Sequence, residues 1–136
     1  MKLITGGAFQ GKTQAALDMT GPGEAGIIDG GVCTLQEIRD ARGPVILDRF
    51  HELVRRALDE EAEQSVSLAG LEQLVTDGSL GRENLTIVCN ELGCGVVPME
   101  RADRAWREKT GRLLCELAKQ AQEVYRVTAG IAVRIK

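Results

Sequence analysis

Apolar positions along the chain alternate between short continuous runs and longer patterns of helical spacing. Leu3-Ile4 belongs to a run over 1–5 that stops at glycine, as a buried first strand does. Residues 12–18 then bring the helix formers Gln14, Ala15, Ala16 and Leu17, and Gly21-Pro22-Gly23 ends them. Residues 25–29 read as a second strand ending in Asp29, and Thr34 caps a short helix over 34–41. Val45-Ile46-Leu47 is a third apolar strand, closed by Asp48. Over 49–64, Phe50, Leu53, Val54, Ala57 and Leu58 recur on one helical face. Leu68, Leu71, Leu74 and Val75 do the same over 67–75, until Asp77-Gly78 and Gly81 intervene. Residues 84–90 give a fourth strand and 99–122 a long helix carrying Trp106, Leu113, Leu114, Leu117, Ala118 and Ala121. Two last strands, 123–128 and 131–135, are separated only by Ala129-Gly130, which predicts a tight hairpin. Phe50 and Trp106 sit at helical spacing and are expected in the core.

Four apolar strands interleaved with helices predict an α/β domain, a mostly parallel sheet covered on both faces. At 136 residues one domain is expected, 1–136, large enough to bury a core without disulfides or metal. A net charge of −3 and the lack of any basic run argue against nucleic acid or a membrane surface as partner. No stretch approaches the roughly 18 apolar residues of a membrane span, and no signal peptide is evident, so a soluble, cytoplasmic protein is expected. Cys33, Cys89, Cys94 and Cys115 have no metal-binding spacing, and they are expected to be small buried thiols.

The first chemistry lies between the first strand and the first helix. Gly6-Gly7-Ala8-Phe9-Gln10-Gly11-Lys12-Thr13 fits G-x-x-x-x-G-K-[ST], the P-loop. Gly6 and Gly11 allow backbone angles other residues avoid, so the loop's N–H groups can converge on phosphate. The following helix adds the positive end of its dipole. Lys12 supplies an ammonium to the β and γ phosphates of ATP or GTP, and the Thr13 hydroxyl a ligand for Mg²⁺. The fold class expected is therefore α/β, a RecA-like P-loop NTPase with helices on both faces and a C-terminal β-hairpin.

Ligands of such sheets bind beyond the carboxyl ends of the strands, where Asp29, Asp48 and Asn90-Glu91 are delivered. Asp48, behind three apolar residues, has the look of a Walker-B acid for the metal or for catalysis. Glu91 is a second candidate catalytic acid, and Asp29 before Gly-Gly is equally ordinary turn chemistry. Arg101 and Arg104 lie three apart on one helical face and are candidates for phosphate or substrate, with Arg112 further along. His51, the chain's one histidine, is a candidate proton carrier or nucleophile, against the plainer reading that it packs beside its strand.

Asn90-Glu91-Leu92-Gly93-Cys94-Gly95-Val96-Val97-Pro98, followed by Arg101, Arg104 and Gly111-Arg112, resembles the N-E-x-G-x-G-[IV]-V-P signature of the bifunctional adenosylcobinamide kinase/adenosylcobinamide-phosphate guanylyltransferase family. Thr5-Gly6-Gly7 and the terminal hairpin are similar to that family as well. The resemblance implies a kinase that passes a γ-phosphoryl group to a corrinoid hydroxyl, Mg²⁺ as cofactor, and assembly as a homo-oligomer, a trimer. Three departures stand beside it. The stretch between Asp29 and Pro44 is short, and where the family carries the histidine that becomes guanylylated, residues 30–43 contain none. The third strand ends in Asp48 rather than glutamate, and Leu114 stands where the family has asparagine. The resemblance thus implies loss of the guanylyltransferase step. Its alternatives are a non-catalytic or regulatory nucleotide-binding relative, or a kinase with a non-corrinoid acceptor.

Overall fold

The computed structural model describes residues 1–21, 25–59 and 66–136. Its strands are β1 (Lys2–Gly6), β2 (Gly26–Asp29), β3 (Val45–Asp48), β4 (Leu85–Asn90), β5 (Glu123–Thr128) and β6 (Ile131–Arg134). They form one sheet in the order β2-β3-β4-β1-β5-β6. Every pairing is parallel except β5 with β6, the predicted hairpin. The helices are α1 (Lys12–Thr20), α2 (Leu35–Asp40), α3 (Phe50–Leu58), α4 (Leu68–Thr76) and α5 (Arg101–Gln120).

The period of two along each strand sorts side chains to two layers. Leu3, Val45, Leu47, Leu85 and Ile87 join Phe50, Leu53, Leu71, Leu74, Leu113 and Leu117 in the larger core, under α3, α4 and α5. Ile4, Ile46, Val88 and Val127 point the other way and meet Ala15 and Ala16 of α1, whose small side chains let that helix lie close to the sheet. Burial on both faces is why β3 and β4 read as unbroken apolar runs. This is the mostly parallel P-loop NTPase fold expected from the sequence. Its strand order keeps the P-loop strand β1 apart from the Asp48 strand β3, with β4 between them.

Several details differ from the sequence reading. The helix expected over 49–64 runs from Phe50 to Leu58 and is capped at Asp59, and its remaining stretch, 60–64, lies outside the described residues, as do Pro22 and Gly23. α5 begins two residues later than expected, at Arg101, and ends at Gln120. There the Gln122 N–H bonds the Met1 carbonyl at 3.0 Å and draws the chain into β5. Cys33 and Cys89 are buried, but Cys94, in the loop after β4, and Cys115, on the outer side of α5, are exposed. Trp106 is only partly buried. Its Nε1 donates to the His51 carbonyl at 2.6 Å, and the Arg55 guanidinium lies over its ring at 4.7 Å, so it seals the edge of the core rather than filling it. The cap at Thr34 is present as expected, reinforced by Glu37 in a reciprocal capping box.

Candidate functional site

The P-loop is braced by the terminal hairpin. Gly6 has φ 149°, and a Cβ there would lie 2.3 Å from the Val127 carbonyl oxygen of β5, so only glycine fits. One turn further, Gln10 reaches the hairpin tip. Its Oε1 accepts the Ala129 N–H at 2.6 Å and its carbonyl accepts the Gly130 N–H at 3.0 Å. Ala129 and Gly130 both have positive φ, 50° and 79°, as a type I′ turn demands. Gln10 therefore holds in place a turn whose alanine is strained.

Gly11, at φ 82°, opens α1 with no side-chain cap and no acid in the first turn. The helix's first N–H groups are left for an external anion. Lys12 is buried, and its Nζ donates to the Gly7 carbonyl at 2.6 Å, so the ammonium lies across its own loop. Burial pulls the Lys12 pKa below its ordinary value, partly opposed by Asp48 and Glu91. An anion bound beside it would restore the charged form. The Thr13 hydroxyl donates to Asp48 Oδ2 at 3.0 Å, and Asp48 Oδ1 accepts the Arg49 N–H at 2.8 Å. Asp48 thus arrives from β3 on the far side of β4 and meets the second residue of α1.

These groups line one cavity of about 370 Å³, with Ala8, Gln10, His51 and Asn90 among its walls. Phe9 stands fully exposed at the loop's tip with φ 58°. A larger hollow, about 760 Å³, follows the β2 edge past Ile27, Val32 and Glu37, and it holds none of the P-loop residues. The Thr13 hydroxyl and Asp48 carboxylate are hard oxygen donors within a single hydrogen bond of each other, which suits Mg²⁺. No cluster of three or more His, Cys, Asp or Glu side chains exists among the described residues.

The other candidates are placed differently. Glu91 follows β4; its Oε1 accepts the Thr5 hydroxyl at 3.1 Å and its Oε2 pairs with Arg126 at 2.8 Å. Asp29 is occupied by Arg49 at 2.9 Å and by the Gly31 N–H at 2.7 Å, the ordinary turn chemistry of its sequence. Arg101 is exposed at the first position of α5. Arg104 donates to the carbonyls of Pro98, at 3.0 Å, and Met99. Neither lines the P-loop cavity. Arg112 pairs with Glu108 on the exposed helix surface at 2.7 Å. His51 is buried and packs beside β4, with ring hydrogen bonds to Asn90. Sequence reasoning missed Arg126 as the partner of Glu91, Arg107 as the donor to the Gly93 and Val96 carbonyls, and the tie from Gln10 to the hairpin. The last joins positions 119 apart, and nothing local in the sequence announces it.

Residues 32–135, about three quarters of the chain, match the family model for cobinamide kinase / cobinamide phosphate guanyltransferase. The chain belongs to this family. Over 78 residues it is 35% identical to the bifunctional adenosylcobalamin biosynthesis protein CobU of Escherichia coli (strain K12), an alignment that covers 57% of this chain and 43% of that one. Over 52 residues it is 44% identical to the protein of the same name from Salmonella typhimurium, covering 38% and 29%. The chain thus spans less than half the length of these curated relatives. The match to the cobinamide kinase family starts at Val32, beyond the P-loop, so the phosphate site rests on its own motif and geometry. No helix among the described residues is long and apolar enough to cross a membrane.

Proposed function

We propose that this member of the family is a single-domain kinase that transfers the γ-phosphoryl group of ATP or GTP to a hydroxyl of a corrinoid precursor such as adenosylcobinamide. The observation that carries the proposal is the 3.0 Å contact between Thr13 and Asp48 at the mouth of a glycine loop that also positions Lys12. Loop N–H groups and Lys12 would hold the phosphates. Thr13 and Asp48 would hold Mg²⁺, which would neutralise charge on the β and γ phosphates. The acceptor oxygen forms a bond to the γ phosphorus as the bond to the β-bridging oxygen breaks, and the nucleoside diphosphate leaves. Glu91 or Asp48 would orient the acceptor hydroxyl or take its proton, and Arg101 and Arg104, at the start of α5, would engage phosphate or substrate.

The guanylyltransferase step is absent in this reading. It needs a nucleophile to carry the nucleotidyl group, and residues 30–43 contain no histidine. The chain's one histidine, His51, is buried with both ring nitrogens in contact with Asn90. The shortened middle also favours a second reading, a relative that binds nucleotide without turnover. Incubation of the purified protein with Mg²⁺, radiolabelled ATP or GTP and cobinamide separates the two. The kinase reading expects labelled phosphocobinamide, lost in Lys12→Ala. Tight nucleotide binding with no labelled corrinoid supports the second reading, and covalent labelling of the protein from α-labelled GTP would restore the transferase step.

A further inference from the structure

A smaller cavity, about 210 Å³, lies beside Glu91 between the loop that follows β4 and the middle of α5. Glu91, Leu92 and Cys94 form one wall, and Thr110, Gly111 and Leu114 the other. Two adjacent residues of the α5 wall carry a cost that packing does not explain. Thr110 is 1% exposed, and its hydroxyl has no hydrogen-bond partner among the described residues. Thr20 of α1 and Thr76 of α4 each turn the hydroxyl back on the carbonyl four residues earlier, at 2.7 and 2.9 Å. That bond is the ordinary refuge of a helical threonine, and Thr110 does not make it. A buried hydroxyl without a partner destabilises the fold unless something else satisfies it. Gly111 adds the second cost. It stands in the middle of a 20-residue helix, where glycine is less stable than alanine. No neighbour demands a glycine, since a Cβ there would meet nothing within 4 Å. What the missing side chain preserves is room at the cavity wall. Neighbouring violations of local rules on one concave surface mark a functional surface.

The opposite wall determines what can enter. Glu91 is one of the two carboxylates that the kinase reading offers to the acceptor hydroxyl. Its backbone N–H bonds the carbonyl of Gly6, the first residue of the phosphate loop, at 3.0 Å. Its charge reaches Lys12, where it opposes the fall in the lysine pKa. A hydroxyl held at Glu91 is therefore delivered next to the phosphate loop. Glu91 Oε1 accepts one hydrogen bond, from Thr5, and keeps a lone pair to offer. Leu92 and Leu114 supply apolar surface for a few carbon atoms. The volume suits a short chain and not a macrocycle, so the body of a large acceptor stays outside. The Thr110 hydroxyl, bound to nothing, can turn about χ1 without losing a hydrogen bond and donate to an oxygen on that chain.

We propose that this cavity receives the hydroxyl-bearing arm of the phosphoryl acceptor, a short aliphatic alcohol chain that carries a second polar atom, and that Thr110 recognises that atom. The hydroxyl lies at Glu91, the carbons pack against Leu92 and Leu114, and Gly111 leaves the space. The inference rests on the kinase reading, and adds to it the place where the acceptor's reactive end is held.

Equilibrium dialysis of cobinamide against the protein, with Mg·AMPPNP saturating, measures acceptor affinity, and calorimetry measures Mg·AMPPNP itself. Thr110→Val keeps the shape and deletes the hydroxyl. Gly111→Leu puts a side chain at the cavity wall. Both variants should melt at or above the parent temperature, because each removes a destabilising feature. Both should nonetheless weaken cobinamide about tenfold and leave Mg·AMPPNP within about twofold. Thr110→Ser keeps the hydroxyl and should stay within about threefold of the parent for cobinamide. A purely structural role predicts better melting with unchanged cobinamide affinity, and that result overturns the proposal. So does Thr110→Ser binding cobinamide no better than Thr110→Val. Unsubstituted protein that binds Mg·AMPPNP but not cobinamide overturns the proposal and leaves the phosphate site standing. Unsubstituted protein that binds neither overturns the kinase reading, and this inference with it.

Discussion

Gly6 and Gly7 are adjacent and chemically identical, yet the structure assigns them opposite tolerances. A Cβ on Gly6 would lie 2.3 Å from the Val127 carbonyl oxygen, with the Val127 carbon at 3.3 Å, and φ is 149°. The obstacle is backbone of a paired strand, so it cannot swing aside as a side chain would. Overpacking of this kind costs about 1–3 kcal/mol, and an L-residue held in a sparsely populated backbone region about 1–3 kcal/mol more. A Cβ on Gly7 meets only the Gln10 Cγ at 3.5 Å, ordinary contact with a flexible chain. For 136 residues the unfolding entropy is on the order of 0.3 kcal/mol per kelvin, so a loss of about 3 kcal/mol lowers Tm by roughly 10 °C. Calorimetric melting without nucleotide should show that drop for Gly6→Ala and a change under about 3 °C for Gly7→Ala. Equal melting of the two variants would refute the claim that β5 fixes the start of the phosphate loop.

Other outcomes follow from the same contacts. Ala129→Asn puts a residue that tolerates positive φ at the first position of the hairpin turn, and should raise stability by about 0.5–1 kcal/mol in urea titration, provided the tie to Gln10 persists. Arg126→Ala breaks an ion pair whose arginine is largely exposed, so stability should change by less than about 1 kcal/mol. Release of Glu91 should alter kcat, and an unchanged kcat counts against Glu91 as the proton acceptor. Burial holds the His51 pKa below its ordinary value of 6.5, with Lys12 and Arg49 adding to the depression and Glu52 and Asp48 opposing it. The folded protein therefore binds that proton less readily than the unfolded chain. Its contribution to stability is complete above pH 6.5 and falls away below it, at no more than about 1.4 kcal/mol per pH unit. Urea midpoints of the parent and His51→Gln should converge between pH 7.5 and 5.5. In a thiol titration with a disulfide reagent, Cys94 and Cys115 should react at once. Cys33 and Cys89 should react only on unfolding, since burial pushes the Cys89 thiol up to about 12.

The elements legible in the sequence were those whose signal is local. The apolar runs that became β1, β3 and β4, the two-residue gap at Ala129-Gly130, the Thr34 cap and the phosphate loop each declare themselves within about ten residues. What stayed hidden depends on strand order. β4, third from the C-terminal edge by sequence, inserts between β1 and β3, and that insertion puts Asn90 between Lys12 and Asp48 instead of beside Asp29. No periodicity encodes such an order, because every central strand of a parallel sheet is apolar on both faces. The arginines show the converse difficulty. A guanidinium near a phosphate site looks the same in sequence whether it meets a ligand or a carbonyl. Here Arg104 and Arg107 donate to the backbone of residues 93–99, where Val96, Val97 and Met99 are exposed and cannot anchor the loop by burial. A loop that lacks an apolar anchor must satisfy its carbonyls from outside itself. The glycine-rich segment that carries the family signature is thus shaped by cations from the following helix. Its arginines therefore hold the architecture as well as standing as candidates for substrate, and replacing Arg107 should loosen that loop before it touches nucleotide affinity.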